Sequence, residues 1–127
     1  MTKAKEIPVV WLQGATCTGC SVSILNSVSP TIKNVLIDQL IPGTHINLKF
    51  HATIMAGTGE MVIKVLEDTA KDHKGGYLLV VEGSIPTKEG GLYCCVGEKN
   101  KKPIPFAQHV KDLAKNALAC VALGTCS

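Results

Sequence analysis

The chain has 127 residues, 46% of them hydrophobic and 18% charged, with a formal net charge of +3. That length suits one domain with a real core, and its apolar runs fall short of the roughly 18–20 residues that span a bilayer. The apolar excess therefore points to a buried parallel sheet or a large partner interface. All 13 basic residues are lysine and aromatics make up only 4%; the lack of arginine, the residue suited to bidentate phosphate and base contacts, argues against a nucleic-acid partner.

The opening Met1-Thr2-Lys3-Ala4-Lys5-Glu6 has neither a hydrophobic signal core nor a twin-arginine motif. It predicts a cytoplasmic protein that reaches a membrane only through partners. Residues 7–12 form an almost unbroken apolar run, as in a strand buried on both faces. Next comes Gln13-Gly14-Ala15-Thr16-Cys17-Thr18-Gly19-Cys20, and a helix is expected from Ser21, with Ile24 and Leu25 turned to the sheet. Two thiols would then sit where a strand ends and a helix begins. Unpaired N–H groups and the helix dipole favour thiolates and anionic clusters at such a place.

Ser29-Pro30 breaks the pattern before a second short helical run carrying Ile32, Val35, Leu36 and Leu40, which Pro42-Gly43 ends. Residues 45–51 alternate polar with apolar, the mark of a half-buried strand near a sheet edge. Gly57-Thr58-Gly59 introduces the clearest helix, with Met61, Val62, Val65, Leu66 and Thr69 on one face. Glu60 lies in its first turn, Lys71 and Lys74 lie near its end, and Gly75-Gly76 stops it. Residues 77–81 are the next buried strand.

The segment 83–105 reads as a long irregular loop, beyond the ~12–15 residues usual in compact domains. Its apolar centre, Leu92 to Val96, predicts a packed or docked middle, and Lys99, Lys101 and Lys102 a solvated stretch. A helix over 106–117, with Phe106, Val110, Leu113 and Ala117 on one side, leads to a last strand over 119–123. Strands alternating with helices imply a single α/β domain, a doubly wound parallel sheet. Such sheets collect ligands outside the carboxyl ends of their strands. The strands end in Gln13-Gly14, Glu82-Gly83-Ser84 and Gly124-Thr125-Cys126, so Cys126 is expected beside Cys17 and Cys20.

The six cysteines are Cys17, Cys20, Cys94, Cys95, Cys120 and Cys126. A lone Cys-x-x-Cys serves zinc, redox dithiols and iron–sulfur clusters alike. Zinc lacks a second suitably spaced pair here, since Cys94 and Cys95 are adjacent. A dithiol site would leave Cys126 unexplained, and three converging thiols fit a cubane cluster with its four cysteine ligands better. Cys120 reads as a small buried hydrophobe within a strand. Cys94 and Cys95 read as structural, with one of them open as a substitute fourth ligand. His45 and His51 are expected to be ordinary hydrogen-bonding residues, and His73 and His109 to lie on solvated helix faces. No nucleophilic triad, Walker loop or dinucleotide glycine pattern is present, and no catalytic residue is assigned.

Several blocks resemble the electron-transferring small subunit of nickel–iron hydrogenases. These are Val9-Val10-Trp11-Leu12-Gln13-Gly14 with Cys17-Thr18-Gly19-Cys20-Ser21, then Leu79 through Thr87, then Gly91-Leu92-Tyr93-Cys94, and finally Ala122-Leu123-Gly124-Thr125-Cys126. They follow the family's order across essentially the whole chain. The resemblance implies a flavodoxin-like domain over 1–127 that holds the proximal four-iron four-sulfur cluster against a large subunit carrying the nickel–iron centre. A second redox protein would be the electron acceptor or donor. Cys17, Cys20 and Cys126 match three proximal-cluster ligands. The family's fourth ligand, in a Gly-Cys-Pro context, and its medial and distal clusters lie further downstream and are absent from these residues. Gly19 stands where oxygen-tolerant members have an extra cysteine, which implies the ordinary cluster type, and Val22 stands where many members have glutamate. The role the resemblance implies is electron relay during reversible dihydrogen oxidation, with backbone N–H groups of Thr18 to Ser21 donating to cluster sulfurs, and with the isolated chain inactive and prone to self-association. The alternatives are a cluster-free interaction module and a Cys17–Cys20 dithiol oxidoreductase.

Overall fold

A computed structural model describes residues 5–38 and 41–127; Leu40, expected in the second helix, and the opening four residues lie outside the described residues. The elements alternate as expected: β1 (Lys5–Gln13), α1 (Gly19–Leu25), α2 (Ile32–Leu36), β2 (Thr44–His51), α3 (Glu60–Asp72), β3 (Leu78–Glu82), β4 (Cys95–Lys99), β5 (Lys102–Pro105), α4 (Phe106–Ala114) and β6 (Ala119–Leu123). Four strands form one parallel sheet in the order β2-β1-β3-β6. The chain passes to β2 on one side of β1 and to β3 on the other. The switch in direction that creates a ligand crevice thus falls between the carboxyl ends of β1 and β3.

Period-2 alternation divides β1 between two faces. Val10 and Leu12 join Phe50, Leu79 and Val81 in the main core, packed with Val62, Ile63 and Leu66 of α3 and Phe106 and Leu113 of α4. Val9 and Trp11 point the other way, where, among the described residues, the short α1 and α2 cover the sheet. A cavity of about 290 Å³ remains there, bounded by Trp11, Leu25, Val35, Leu48 and Ile54 among others. An irregularity in β2 keeps both sets in phase: Val9 pairs with Leu48 but Val10 with Phe50, so Lys49 is extra. Pro8 is tolerated in this central strand because pairing with β3 begins only at Val9.

The structure corrects five expectations. The 83–105 segment is not irregular throughout. It holds a 3₁₀ turn (Lys88–Gly91) and an antiparallel hairpin of β4 and β5. The hairpin turns at Asn100 and Lys101, both with positive φ (53° and 61°), as the right-handed twist of a tight hairpin requires. On α3 the buried face is Val62, Ile63, Leu66 and Thr69, and Met61 is 74% exposed. Ile63 is drawn inward because its side chain packs on the Gly97 backbone of the hairpin. His109 is buried, with Nε2 2.7 Å from the Val96 carbonyl, because the same hairpin covers α4. Cys120 is exposed, because β6 is the sheet's outer strand and Val121 beside it is 42% exposed. The apolar centre of the hairpin segment is split: Cys94 and Val96 pack on the core, while Leu92 and Tyr93 face outward.

Candidate functional site

The carboxyl ends of β1, β2 and β3 meet at one buried carboxylate. Glu82, the last residue of β3, is wholly inaccessible. Its Oε2 accepts from Trp11 Nε1 at 3.0 Å, Gln13 Nε2 at 3.3 Å and Ser21 Oγ at 2.5 Å, and its Oε1 accepts from the Ser21 backbone N–H at 3.1 Å. Burial alone pushes the Glu82 carboxyl upward. The hydrogen bonds from Ser21, Trp11 and Gln13 together outweigh it and hold the group below its ordinary value.

Proton bookkeeping extends the network to His51. Ser21 has one hydroxyl proton, and the short bond gives it to Glu82. His51 Nε2, 3.2 Å from Ser21 Oγ, must therefore be the protonated nitrogen and donate. Nδ1 then accepts the Thr53 backbone N–H at 3.3 Å. Only the neutral ring satisfies both contacts. Burial lowers the His51 pKa in the same sense, against a smaller upward pull from Glu82. The ring also leans on Trp11, with centroids 4.9 Å apart at 50°.

This network fixes the start of α1. Helical geometry begins at Gly19, earlier than expected, after Thr18 in the left-handed region (φ 64°) with no side-chain cap. Of the four N–H groups expected to serve a ligand, Thr18 donates to Thr16 Oγ1 and Ser21 to Glu82. Among the described residues that leaves Gly19 and Cys20, whose N–H groups lie in the first turn and have no partner within the helix. With seven residues α1 is short, and its dipole is correspondingly small.

The three cysteines singled out from the sequence lie around this corner. Cys17 is exposed, Cys20 half-buried and Cys126 exposed, and all are free thiols. Gly124, with φ 87°, packs its backbone on Cys20: a β-carbon there would come within 2.4 Å of Cys20 Sγ. Ser127 Oγ accepts from the Gly83 N–H at 3.1 Å and lies 3.0 Å from the Val81 carbonyl and 2.8 Å from the Leu123 carbonyl, which compete for its single proton. Cys126 stands between these two anchors, 106 positions after Cys20 but at the same end of the sheet. Among the described residues, no three His, Cys, Asp or Glu side chains are gathered as the ligands of a single metal ion. The three candidate donors are all sulfur, two of them exposed and Cys20 half-buried. Such a set fits three corners of a cluster, whose cysteines bind separate irons, rather than one ion. Cys94 and Cys95 lie on the hairpin segment, and Cys120 lies on the outer strand.

Glu82, Ser21 and His51 were not legible as a unit in the sequence. A carboxylate closing the apolar run 78–81, immediately before Gly83, was the available signal.

Fold and site define a flavodoxin-like α/β protein with thiols at its switch point. The family model described as NADH ubiquinone oxidoreductase, 20 Kd subunit, matches residues 17–127, and the chain belongs to that family. Within it, the resemblance to hydrogenase small subunits holds. The chain is 45% identical over 129 residues to the periplasmic [NiFeSe] hydrogenase small subunit of Desulfomicrobium baculatum, covering 98% of this chain and 39% of that one. It is 34% identical to the hydrogenase-2 small chain of Escherichia coli strain K12, covering all of this chain and 31% of the relative. The solved [NiFeSe] hydrogenase of Desulfovibrio vulgaris Hildenborough superposes with a TM-score of 0.87 at 43% identity, over 99% of this chain and 42% of that one. The chain thus spans about a third to two-fifths of the curated relatives it matches. One relative is named periplasmic, so the expected cytoplasmic location does not follow from the family, and no helix among the described residues is long and apolar enough to cross a membrane.

Proposed function

We propose that this chain is the cluster-bearing part of a nickel–iron hydrogenase small subunit. In this reading residues 1–127 form the proximal-cluster domain, Cys17, Cys20 and Cys126 hold three corners of a four-iron four-sulfur cluster, and the chain docks on a large subunit carrying the nickel–iron centre. A separate redox protein takes or gives the electrons of reversible dihydrogen oxidation. When bound, such a cluster supplies one-electron transfer. The chain's own residues do the rest. The three thiolates bind. Gly19 and Cys20 N–H groups are free to donate to cluster sulfurs. The Glu82–Ser21 pair sets the position of Cys20 from below. Burial and those donors tune the potential.

The observation that supports the reading is the packing of the Gly124 backbone, two residues before Cys126, on Cys20 Sγ of the Cys17-x-x-Cys20 turn. The names of the relatives supply the reaction. The test is iron and acid-labile sulfide, with intact mass, on anaerobically purified protein from its native source. We expect iron and sulfide in equal amounts, falling sharply in Cys17→Ala and Cys126→Ala but not in Cys120→Ala. Unchanged iron in Cys17→Ala would overturn the assignment.

A further inference from the structure

The function proposed above makes no use of two adjacent thiols. Cys95 is exposed and opens β4; Cys94, just before it, is half-buried and packs on the core. Leu92 and Tyr93, immediately upstream, are 59% and 71% exposed. The pair therefore sits at an accessible rim rather than inside the molecule. Among the described residues neither thiol has a strong partner, Cys95 Sγ lying 3.5 Å from the Leu92 carbonyl. Across the ladder Cys95 faces Pro105, which has no N–H to give, so that end of the hairpin is weakly tied.

What Cys94 does hold is the hairpin's root. Its N–H donates to the Gly91 carbonyl at 3.2 Å, and its own carbonyl accepts the Phe106 N–H at 2.7 Å. Phe106 is fully buried, and its ring lies against Gly14, where a β-carbon would come within 2.6 Å of Phe106 Cε1. Gly14 begins the turn that carries Cys17 and Cys20. A change at Cys94 is thus two contacts from the thiol-bearing turn.

We propose that Cys94 and Cys95 form a second thiol site, which low-molecular-weight disulfides oxidise to a reversible vicinal disulfide, loosening the hairpin's hold on Phe106. The exposed Cys95 thiolate attacks one sulfur of the small disulfide. That S–S bond breaks, a Cys95 mixed disulfide forms, and one small thiolate leaves. The Cys94 thiolate then attacks the Cys95 sulfur, forming the Cys94–Cys95 bond and releasing the second small thiolate. Two protein thiols are oxidised and one small disulfide is reduced to two thiols, with both protons passing to the leaving thiolates. Burial, and then the neighbouring Cys95, push the Cys94 thiol up, which orders the two steps as written. Adjacent Cα atoms about 3.8 Å apart are closer than the ~4.4–6.8 Å of a relaxed disulfide. The bond is therefore strained and readily reduced, and its formation must turn the Cys94–Cys95 peptide that bonds Phe106.

The test uses the 127-residue chain, freed of iron under anaerobic conditions and treated with glutathione disulfide. Trypsin isolates the pair on the peptide Glu89–Lys99, apart from Cys17 and Cys20 and from Cys120 and Cys126. That peptide should lose the mass of two hydrogens, carry no glutathione, and regain its mass with dithiothreitol. In Cys94→Ser the same peptide should keep one glutathionyl group on Cys95. In the oxidised chain the Phe106 amide should exchange with deuterium faster than in the reduced chain, and Cys94→Ser should show no such change. A peptide that stays reduced, carries glutathione on both thiols, or links to another cysteine peptide would overturn the proposal. Unchanged Phe106 exchange in the oxidised chain would overturn the coupling to the hairpin.

Discussion

Replacing Glu82 with glutamine tests whether the corner of the sheet is held by a carboxylate. Glutamine keeps the shape and one acceptor. If its oxygen takes the Oε2 position, it can still receive Trp11, Gln13 and Ser21 Oγ. Its amide then faces the Ser21 N–H, donor against donor. A buried donor left unpaired costs about 1–3 kcal/mol, and bonds to a charged acceptor, each worth about 1.5–3 kcal/mol, fall toward the ~1 kcal/mol of neutral ones. The sum is roughly 3–5 kcal/mol, a sizeable part of the ~5–15 kcal/mol by which domains are stable. Urea unfolding of the 127-residue chain reads it directly. With a slope of about 1–3 kcal/mol per molar, the midpoint should fall by about 1–5 M. Glu98→Gln, on the exposed hairpin, should move it by less than ~0.5 kcal/mol in stability. A Glu82→Gln midpoint as little changed as that of Glu98→Gln would refute the reasoning.

The pH dependence follows from the same corner. His51 is held below its ordinary 6.5 in the fold, so below pH 6.5 the unfolded chain takes a proton that the folded chain refuses. Stability should fall from there until the folded pKa is passed, and urea midpoints of His51→Gln should be flat over that window. Glu82 is held below 4.5, so its contribution is present above that value and is lost as pH falls through its folded pKa, giving a second decline. Gly124→Ala puts a methyl 2.4 Å from Cys20 Sγ at a φ of 87°. It should cost about 1–3 kcal/mol, read as a lowered urea midpoint, with less iron bound by the native complex. Tyr77→Phe removes a buried hydroxyl that donates to the Leu113 carbonyl. It should cost about 1–2 kcal/mol by urea unfolding.

The periodic elements were legible because burial dictates their sequence: β1, β3 and α3 are written in apolar runs and helical spacing, and the edge position of β2 in its alternation. What was lost depended on partners far along the chain. Glu82 looks like a strand end until Ser21, 61 positions away, is placed beneath it. His109 looks solvated until Val96 covers it. The hairpin gave no Asn-Gly signal, since Asn100-Lys101 makes its turn with two non-glycine residues at positive φ. Cys120 was misread for a different reason. An apolar run signals a strand that can be covered on both faces, and β6 is the outermost strand of this sheet. That Cys17 and Cys20 follow one strand and Cys126 another at the same end of the sheet was readable, because parallel topology sends every strand end to one side.

The corner divides its labour by depth. Cys17 and Cys126, proposed above as cluster ligands, are exposed, while Glu82 and Ser21, to which no ligand role is assigned, are buried. Removing an exposed thiol deletes a donor and leaves the core contacts intact, so its cost falls on whatever the thiols hold. Removing a buried partner leaves donors unpaired in the interior, so its cost falls on folding first. Cys20 joins the two layers: half-buried, it packs on Gly124 above and precedes Ser21, whose N–H and hydroxyl both end on Glu82. The backbone that carries this thiol is thus tied through Ser21 to a buried carboxylate. This preorganises the turn before any ligand arrives, so the ordering entropy is met by folding rather than by binding.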